Sequence, residues 1–404
     1  MLEAELRQQA DAGSAEHQWR LSELYRQQKR PARASKYFRR ALAQGYHDAI
    51  LYQLEQWTLA PDEFASFKRA GDLLNQHRDE EHLRGWHWRL GVISGSLTAS
   101  EDAQLLAAEL TAGNPQAQRY AALRCSLAGR EAEARWLMLA AATAGDSLAA
   151  DVLGDVSEHC LPTLSIVEPR LLPAELLREV LHAQPLADAE AETIVSDPCI
   201  LRRSRWLSPL ACRMLALAAA PELRPSLTYE PHTGRQVESP LRTSDSMTFM
   251  PWLVDPSVAY IQRCLAEAAE RQPGQCEVLG LLRYLPRQAY QLHYDAFAEG
   301  GNNASVFEDG GQRTRTALVY LNQSYTGGET RFEHLDLEVK GETGDLLIFD
   351  NVDIAGSRHQ NSLHAGKPVT TGAKWLLSQW YREAGTLYTR QMGWPVTATG
   401  VESA

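Results

Sequence analysis

The sequence predicts a multidomain α plus β protein, with an N-terminal α-helical repeat-like domain followed by a β-rich part. A chain of 404 residues is long enough for two or three domains. Residues 1–155 are rich in Ala, Leu, Arg and Glu and show almost no strand pattern. Further along, a His-x-Asp run and an apolar strand around Lys374 indicate β-structure that carries polar groups on its inner face.

A set of small residues recurs within the first 155 residues. In ARASKYFRRALAQG and AEARWLMLAAATAG, Ala34, Phe38, Ala41 and Gly45 recur as Ala134, Met138, Ala141 and Gly145. Small residues allow paired helices to approach closely, and the glycine is expected to end the second helix. Gly113 and Gly145 lie 32 residues apart, a period similar to tetratricopeptide and Sel1-like repeats. Residues 50–100 fit this period poorly, so an irregular helical domain is the alternative.

The composition excludes some classes of partner. The formal net charge is −11 and the pI is about 5.6, which argues against bulk binding of nucleic acid. The amino terminus lacks a signal-peptide core, and no run approaches the ~20 apolar residues that span a bilayer. Six cysteines are scattered without a C-x-x-C motif, as expected for free thiols in a reducing compartment. The sequence therefore predicts a cytoplasmic protein without a membrane partner.

The run HYD places His293 and Asp295 two residues apart. Residues i and i+2 of a β-strand point to the same face, so an imidazole nitrogen and a carboxylate oxygen can meet at one point. A third ligand can come from HQNSLH, which contains His359 and His364. Two histidines and one carboxylate on one face of a metal, with the opposite positions open, form the facial triad of non-heme Fe(II) oxygenases. A His-x-Asp pair is also common as a structural hydrogen-bonded pair, so the surrounding residues must decide between that interpretation and a metal site.

Short motifs surround this run in a fixed order. They are YLPRQAYQLHYDAF, RTRTALVYLN, GGETRF, GDLLIFDN and SLHAGKPVTTGAKWLLSQWYRE. Together they resemble the prolyl 4-hydroxylase branch of the Fe(II)/2-oxoglutarate-dependent dioxygenases, over about residues 205–383. The resemblance implies a C-terminal double-stranded β-helix, or jelly-roll, oxygenase domain.

The resemblance also implies roles for individual residues. The implied iron ligands are His293, Asp295 and His364. His364 is preferred to His359 because its HAGKPV context and its ten-residue distance to Lys374 match the family. Lys374 would pair with the distal carboxylate of 2-oxoglutarate, and hydrogen bonds to that carboxylate would come from Tyr290 and Thr316.

Residues on the substrate side are implied in the same way. Arg313 and Trp380 match family positions that face the substrate. Arg382 departs from the family, because collagen-type members carry His two residues after the tryptophan. The Gly- and Asn-rich segment between Asp295 and Arg313 is too long for a tight hairpin, which suits a lid over the substrate.

The implied reaction is hydroxylation of an unactivated C–H bond, with release of succinate and CO₂ from 2-oxoglutarate. The required groups are Fe(II), 2-oxoglutarate and O₂, and the resemblance suggests ascorbate as an additional cofactor. The predicted substrate is a prolyl or other residue in a peptide or protein, and the alternative is a free amino acid or natural-product intermediate. In the first case the helical domain recruits a protein partner or forms a homodimer surface, and in the second it supports the barrel.

These observations divide the chain into four predicted segments. They are a helical repeat-like domain at 1–155, a connector with helices at 156–204, the oxygenase domain at 205–385 and a tail at 386–404. Within the connector, PAELLREVL opens with Pro and has apolar residues at helical spacing, so a helix is predicted to start there.

Overall fold

The computed structural model describes residues 2–59, 66–154, 174–182, 191–229, 236–298, 304–394 and 396. The chain divides into two compact units, residues 1–91 and 92–404. Residues 156–173 and 183–190 of the predicted connector, residues 395 and 397–404 of the predicted tail and residues 299–303 of the predicted lid lie outside the described residues. The predicted segment boundaries stay predictions.

The first unit is helical. Its helices are α1 (Leu2–Asp11), α2 (Ala15–Gln27), α3 (Pro31–Ala43), α4 (His47–Leu59) and α5 (Ser66–Gln76), and α6 (Arg84–Ser94) begins in it. The Ser14 hydroxyl caps α2 by accepting a hydrogen bond from the His17 N–H group. Gly45 adopts a φ of +71° after α3, and the Tyr46 N–H group donates to the Ala41 carbonyl, so this glycine ends the helix as predicted.

The second unit repeats this helical arrangement before its sheets begin. Its helices are α7 (Ala99–Thr111), α8 (Pro115–Leu127), α9 (Glu131–Thr143), α10 (Ser147–Leu153), α11 (Ala174–His182), α12 (Pro209–Ala219), α13 (Pro256–Ala268), α14 (Ala304–Glu308) and α15 (Leu387–Met392). The α2–α3 and α8–α9 pairs consist of 13-residue helices that start at matching positions 100 residues apart. The helical prediction is therefore confirmed, and membership in a tetratricopeptide or Sel1-like class stays a prediction. None of the helices that the structure describes has the length and apolar character needed to cross a membrane.

The strands of the second unit pair in an antiparallel manner. They are β1 (Glu192–Ser196), β2 (Cys199–Arg203), β3 (Arg224–Pro225), β4 (Leu227–Tyr229), β5 (Gln236–Glu238), β6 (Asp245–Thr248), β7 (Gly280–Tyr284), β8 (Tyr290–His293), β9 (Arg313–Tyr320), β10 (Tyr325–Gly327), β11 (Thr330–Phe332), β12 (Leu337–Val339), β13 (Leu346–Asp350), β14 (His364–Gly366), β15 (Val369–Gly372) and β16 (Lys374–Arg382). A major sheet has the order β1-β2-β13-β9-β16-β7-β6-β3, and a minor sheet has the order β12-β11-β14-β8. Two strand pairs, β10-β15 and β4-β5, complete the set.

The major and minor sheets bury their inner faces against each other. One apolar cluster joins Leu318, Tyr320 and Leu376 of the major sheet to Phe332 and Val339 of the minor sheet. Phe332 meets Phe349 across this core in an edge-to-face contact, with 5.1 Å between ring centroids. Strands whose inner residues interlock in this way form a jelly-roll core, so the predicted α plus β fold is confirmed.

Helix α8 packs within the second unit against the helices that cover the sheets. The Arg119 guanidinium donates to Asp146 at 2.9 Å and also pairs with Asp255. Each of these carboxylates caps the helix that follows it, α10 and α13 respectively. Ser126 of α8 hydrogen-bonds Ser208, the N-cap of α12, at 2.8 Å. Polar side chains thus join α8 to the ends of three neighbouring helices.

The five cysteines among the described residues carry free thiols. Cys125, Cys212, Cys264 and Cys276 are buried, and Cys199 is partly exposed. Burial raises the pKa of the Cys125 thiol to about 12, and it raises the pKa of the other three buried thiols as well. These thiols therefore stay protonated at neutral pH.

Candidate metal centre and cosubstrate pocket

The minor sheet brings three potential ligands to one point. His293 of β8 lies directly opposite His364 of β14, and Asp295 follows β8 by two residues. The His293 Nε2 atom lies 3.6 Å from one Asp295 oxygen, and the His364 Nε2 atom lies 3.8 Å from the other. One ligand atom from each residue can be chosen so that all lie within 4.8 Å of one another. The structure thus brings the predicted His-x-Asp and the distant histidine together.

Both imidazoles are oriented by main-chain groups. The Nδ1 atom of His293 lies 2.8 Å from the Gln291 carbonyl, and that of His364 lies 2.9 Å from the Ser362 carbonyl. A carbonyl accepts only, so each ring places its proton on Nδ1 and leaves Nε2 as a free lone pair. Burial and the neighbouring His364 lower the pKa of His293 to about 3, which keeps that ring neutral at physiological pH. Neutral imidazoles with a fixed tautomer are suited to metal binding.

Asp295 supplies the negative charge of the cluster. Burial would raise its pKa, but the two imidazoles, Arg313 and a hydrogen bond from Thr316 outweigh burial and hold the pKa below its usual value. The Thr316 hydroxyl donates to the Asp295 Oδ2 atom at 2.7 Å. The cluster therefore combines two imidazole nitrogens and one carboxylate, the donor set of a facial triad.

His359 lies outside this cluster. Its Nε2 atom bonds Asp197 at 3.0 Å, and its Nδ1 atom accepts from the Asn361 N–H group at 3.1 Å. Both nitrogens are therefore occupied in a cap of the local turn. Of the two candidate histidines, the structure places His364 beside His293 and Asp295.

Lys374 begins strand β16 with its ammonium group inside the barrel. Only 2% of the residue is exposed, and its Nζ atom donates to the Gly328 carbonyl at 2.8 Å. No carboxylate of the described residues lies within 4 Å of this nitrogen. Burial lowers the pKa of Lys374 to about 8, and Glu329 opposes this shift in part. A buried cation without a carboxylate partner is costly, so it indicates a site for an anionic group.

Two tyrosines beside Lys374 were missed by the sequence analysis. The Nζ atom lies 5.6 Å from the ring centroid of Tyr284 and 5.3 Å from that of Tyr320. The Tyr320 hydroxyl hydrogen-bonds Thr330 at 3.0 Å. Strand alternation on β9 could have found Tyr320, because it follows Thr316 by four residues and so shares its face.

Thr316 is placed differently from its prediction. It was expected to bond the distal carboxylate together with Lys374, but it lies opposite Trp380, six residues from Lys374 along β16. Six strand residues span roughly 20 Å, too far for both side chains to hold one carboxylate. The hydroxyl of Thr316 bonds the Asp295 carboxylate instead. Thr316 therefore contacts a metal-ligand candidate, Asp295, and not the carboxylate-binding end of the pocket at Lys374.

Tyr290 lies between the metal cluster and an arginine. Its ring stacks on His293 with 3.5 Å between centroids and a 13° interplanar angle. The Arg242 guanidinium lies 5.1 Å from the centroid of the Tyr290 ring. The main chains of these two residues form an isolated antiparallel β-bridge. Burial raises the pKa of Tyr290 to about 12, so its hydroxyl remains a donor. Its predicted hydrogen bond to 2-oxoglutarate stays a prediction.

Arg313 and Trp380 form one stacked pair. The Arg313 guanidinium lies 3.7 Å from the centroid of the Trp380 ring. Its Nε and Nη2 atoms donate to the Glu277 carboxylate at 2.7 and 2.8 Å, a bidentate ion pair. Glu277 was missed by the sequence analysis, because a single glutamate before β7 carries no motif of its own.

Arg382, the residue that departs from the family, shares this carboxylate. Its Nε atom lies 2.5 Å from Glu277, and its Nη1 atom donates to the Val306 carbonyl at 3.0 Å. Burial would raise the pKa of Glu277, but the two guanidinium groups outweigh it and hold the pKa below its usual value. Arg382 therefore links α14, which contains Val306, to the end of β16.

Comparisons with known proteins agree with this site. Residues 279–382 match the sequence profile of the 2OG-Fe(II) oxygenase superfamily. The chain is similar to Prolyl 4-hydroxylase 1 of Arabidopsis thaliana, with 31% identity over 228 residues that cover 53% of this chain and 76% of the relative. It is also similar to a putative prolyl 4-hydroxylase of Acanthamoeba polyphaga mimivirus, with 43% identity over 26% of this chain and 45% of that protein.

Similar solved structures include two prolyl hydroxylases. A viral collagen prolyl hydroxylase from Paramecium Bursaria Chlorella virus-1, solved with 2OG, has 26% identity and a TM-score of 0.35, covering 45% of this chain and 95% of that chain. A prolyl-4-hydroxylase from Pseudomonas putida has 18% identity and a TM-score of 0.33, and the match covers 46% of this chain and 93% of that chain.

Proposed function

Because the chain belongs to the prolyl 4-hydroxylase-type Fe(II)/2-oxoglutarate-dependent oxygenases, we propose that it hydroxylates a prolyl residue in a peptide or protein. The observation that carries this proposal is the convergence of His293, Asp295 and His364 on one point inside a barrel that also holds Lys374, a buried cation with no carboxylate partner among the described residues. The names of the relatives supply the prolyl residue as the target.

The residues present fit a bound Fe(II) ion. The two imidazoles direct free Nε2 lone pairs toward the ionised Asp295, and one face of such an ion would remain open. With 2-oxoglutarate and O₂, bound iron supplies the oxidising chemistry, and the cosubstrate leaves as succinate and CO₂. The protein itself supplies the ligands, their orientation and a site shielded from water.

Lys374 fits the far end of the cosubstrate. We propose that its ammonium group pairs with the distal carboxylate of 2-oxoglutarate, as the sequence analysis predicted. The hydroxyl groups of Tyr320 and Thr330, which bond each other near this nitrogen, are candidates for the remaining hydrogen bonds. Tyr290 remains a candidate from the His293 side.

The stacked pair of Arg313 and Trp380 is proposed to line the substrate side. The Nε and Nη2 atoms of Arg313 bind Glu277, and we propose that its Nη1 atom, which has no hydrogen bond to the described residues, donates to a substrate carbonyl. Trp380 offers a flat apolar face, although Arg313 already covers one side of it. Both residues are therefore assigned to substrate positioning.

The test is a screen of the full-length chain with Fe(II), 2-oxoglutarate and ascorbate. Proline-containing peptides and matched peptides with alanine in place of proline are compared for succinate release and for a gain of one oxygen atom by mass spectrometry. Fragmentation that places the oxygen on proline supports the proposal. His364→Ala is the matched inactive control, and omission of ascorbate tests the suggested need for it.

Oxygen transfer to a free amino acid, with none to any peptide, would favour the alternative substrate class. Release of succinate without oxygen in any product, for all substrates offered, would contradict prolyl hydroxylation. Neither result would exclude the metal and cosubstrate assignments, which are tested separately by titration with Mn(II) and with 2-oxoglutarate.

Partners and location belong to the same proposal. A peptide or protein substrate is the proposed partner, and a homodimer or protein contact through the helical part stays a prediction. The buried free thiols support the proposed cytoplasmic location, because oxidising compartments favour disulfides.

A further inference from the structure

Three polar side chains form a continuous line from strand β13 to the metal cluster. Asn351 follows β13, Thr316 lies on β9, and Asp295 follows β8. Asn351 and Thr316 are completely buried, and Asp295 is 6% exposed. The Asn351 amide lies 2.9 Å from the Thr316 hydroxyl, which lies 2.7 Å from Asp295. A buried polar line of this kind is costly unless every member is satisfied.

The direction of each hydrogen bond follows from the groups themselves. Ionised Asp295 can only accept, so the single hydroxyl proton of Thr316 must lie on the bond to Asp295. The hydroxyl oxygen then accepts from the Asn351 Nδ2 atom, which is a donor only. Asn351 is itself held by its main chain, because its N–H group donates to Thr314 and its carbonyl accepts from His359. The line is therefore anchored at its far end.

This line selects one carboxylate oxygen. Thr316 binds Oδ2, which also lies 3.8 Å from the His364 Nε2 atom, whereas the other oxygen, Oδ1, accepts nothing from Thr316 and lies 3.6 Å from the His293 Nε2 atom. An oxygen that accepts a strong hydrogen bond from a buried hydroxyl is a poorer metal ligand than its neighbour. Without the hydroxyl, the carboxylate could rotate or present both oxygens, and a second oxygen would take up one of the open metal positions.

We propose that Thr316 and Asn351 are positioning residues that hold Asp295 as a single-oxygen metal ligand. Thr316 acts directly on the carboxylate, and Asn351 acts through Thr316. The inference rests on the proposed metal centre and adds residues that the sequence resemblance assigned to the cosubstrate or left without a role. Neither residue needs to touch the iron, the cosubstrate or the substrate.

The test measures metal binding by the full-length chain in the absence of cosubstrate. Mn(II) serves as a redox-stable probe, and free Mn(II) is measured by electron paramagnetic resonance during titration. Thr316→Val keeps the shape of the side chain and removes its hydroxyl group, whereas Thr316→Ser keeps the hydroxyl group. We expect Thr316→Val to weaken Mn(II) binding about 10- to 100-fold, and Thr316→Ser to stay near the original affinity.

A double-mutant cycle distinguishes an effect of Asn351 that acts through Thr316 from a simple packing effect. Because Asn351 acts through Thr316, Asn351→Leu alone should weaken Mn(II) binding, whereas adding it to Thr316→Val should cause little further loss. The melting temperatures of the metal-free variants provide the control for folding. If Thr316→Val fails to fold, Thr316→Ala and Asn351→Ser permit the same comparison.

The outcomes distinguish this inference from the proposed function. If the unaltered chain does not bind Mn(II), the metal centre itself is wrong. If the unaltered chain binds Mn(II) and Thr316→Val binds it equally well, only the positioning role is overturned. Equal losses in Thr316→Ser and Thr316→Val would also overturn it, because the hydroxyl group would then be irrelevant. A changed Co(II) absorption spectrum in Thr316→Val, restored in Thr316→Ser, would support the altered ligand geometry.

Discussion

Lys374 combines burial, a lowered pKa and the lack of a carboxylate partner among the described residues. In the free chain its charge is satisfied by one main-chain carbonyl and the faces of two tyrosines. A bound carboxylate would compensate the cost of burying that charge. The residue therefore links cosubstrate binding to protonation.

Lys374→Ala should raise the concentration of 2-oxoglutarate that the enzyme requires. The loss of a buried charge partner is worth about 2–5 kcal/mol, which corresponds to roughly 30-fold or more in affinity. Titration of 2-oxoglutarate into the Mn(II)-loaded chain measures this effect, with Lys367→Ala as the control because 40% of that side chain is exposed and it already pairs with Glu338. An unchanged affinity would remove Lys374 from the cosubstrate site.

Binding of 2-oxoglutarate should weaken as the pH rises above about 8. The carboxylate needs the charged ammonium group, and burial lowers the pKa of Lys374 to about 8 in the free chain. The limiting slope is about tenfold in affinity per pH unit. Lys374→Arg keeps its charge over this range, so its affinity should not fall in the same way.

The sign is opposite for the stability of the cosubstrate-free chain. A lysine in the unfolded chain has a pKa of about 10.4, so between pH ~8 and that value the unfolded state binds more protons than the folded state. Lys374 therefore makes the free energy of unfolding rise with pH over that window. A flat cosubstrate affinity from pH 7 to 9.5 would contradict the proposed partner of this ammonium group.

His364→Ala should abolish turnover while the fold persists, because it removes one of three ligands from the metal cluster. His359→Ala removes a turn cap and its bond to Asp197, so it should retain activity. Succinate release and far-ultraviolet circular dichroism measure the two effects. The reverse pattern, an inactive His359→Ala beside an active His364→Ala, would mean that the wrong imidazole was chosen.

Sequence alone could identify the residues whose chemistry is carried by local spacing. The i, i+2 spacing of His293 and Asp295 and the apolar surroundings of Lys374 required no knowledge of the fold. Glu277 and Asn351 could not be found in this way, since their roles depend on strands that lie far apart in sequence. Thr316 was assigned to the wrong carboxylate for the same reason: only the register with Trp380 shows how far it lies from Lys374.

At the scale of elements, Arg119 joins the N-terminal ends of two helices. It pairs with Asp146 at the start of α10 and with Asp255 at the start of α13. The three side chains are mostly buried, so none can exchange its partner for water at low cost. This cluster fixes the orientation of the helices that cover the sheet.

Arg119→Ala should destabilise the chain by about 3–5 kcal/mol, because two partly buried carboxylates would lose their shared cation. Denaturant unfolding measures the loss. Arg130→Ala, at the N-cap of α9, is the matched control, since the ion pair of Arg130 with Glu179 is exposed and should contribute little. If both variants unfold at the same denaturant concentration, the cluster does not stabilise the fold.

The helices were predictable as elements, and their partners were not. Small residues at recurring positions and the glycines at their ends predicted the α2–α3 and α8–α9 pairs, and PAELLREVL predicted α11. The sequence contained no signal for the contacts of α8 with α12 and α13. Those contacts depend on single polar residues, Arg119 and Ser126, that helical periodicity treats as surface positions.

At the scale of the whole molecule, the division at residue 91 suggests two different truncations. A chain that starts near residue 160 loses α1–α10, including α8, so it leaves Asp255 without Arg119 and Ser208 without Ser126. We expect it to be insoluble or unfolded, because it also exposes the apolar surface that these helices cover. Expression yield and unfolding curves measure this outcome.

A chain that starts at residue 84 keeps α6–α10 and should fold. If the first unit recruits a protein substrate, this chain should still release succinate slowly without substrate but lose most hydroxylation of the protein. If the first unit only supports the fold, both activities should be unchanged or lost together. A soluble, fully active chain from residue 160 would contradict both roles proposed for the helices.

The burial of four of the described cysteines has a practical consequence for spectroscopic labelling of the chain. Thiols that stay protonated inside the protein react slowly with alkylating reagents, so Cys125, Cys212, Cys264 and Cys276 should contribute little background to labelling. With Cys160→Ser and Cys199→Ser, a cysteine introduced on α3 and another on α12 would carry a pair of spectroscopic probes. The distance between the probes, measured with and without a peptide, would show whether substrate changes the arrangement of residues 1–91 and 92–404.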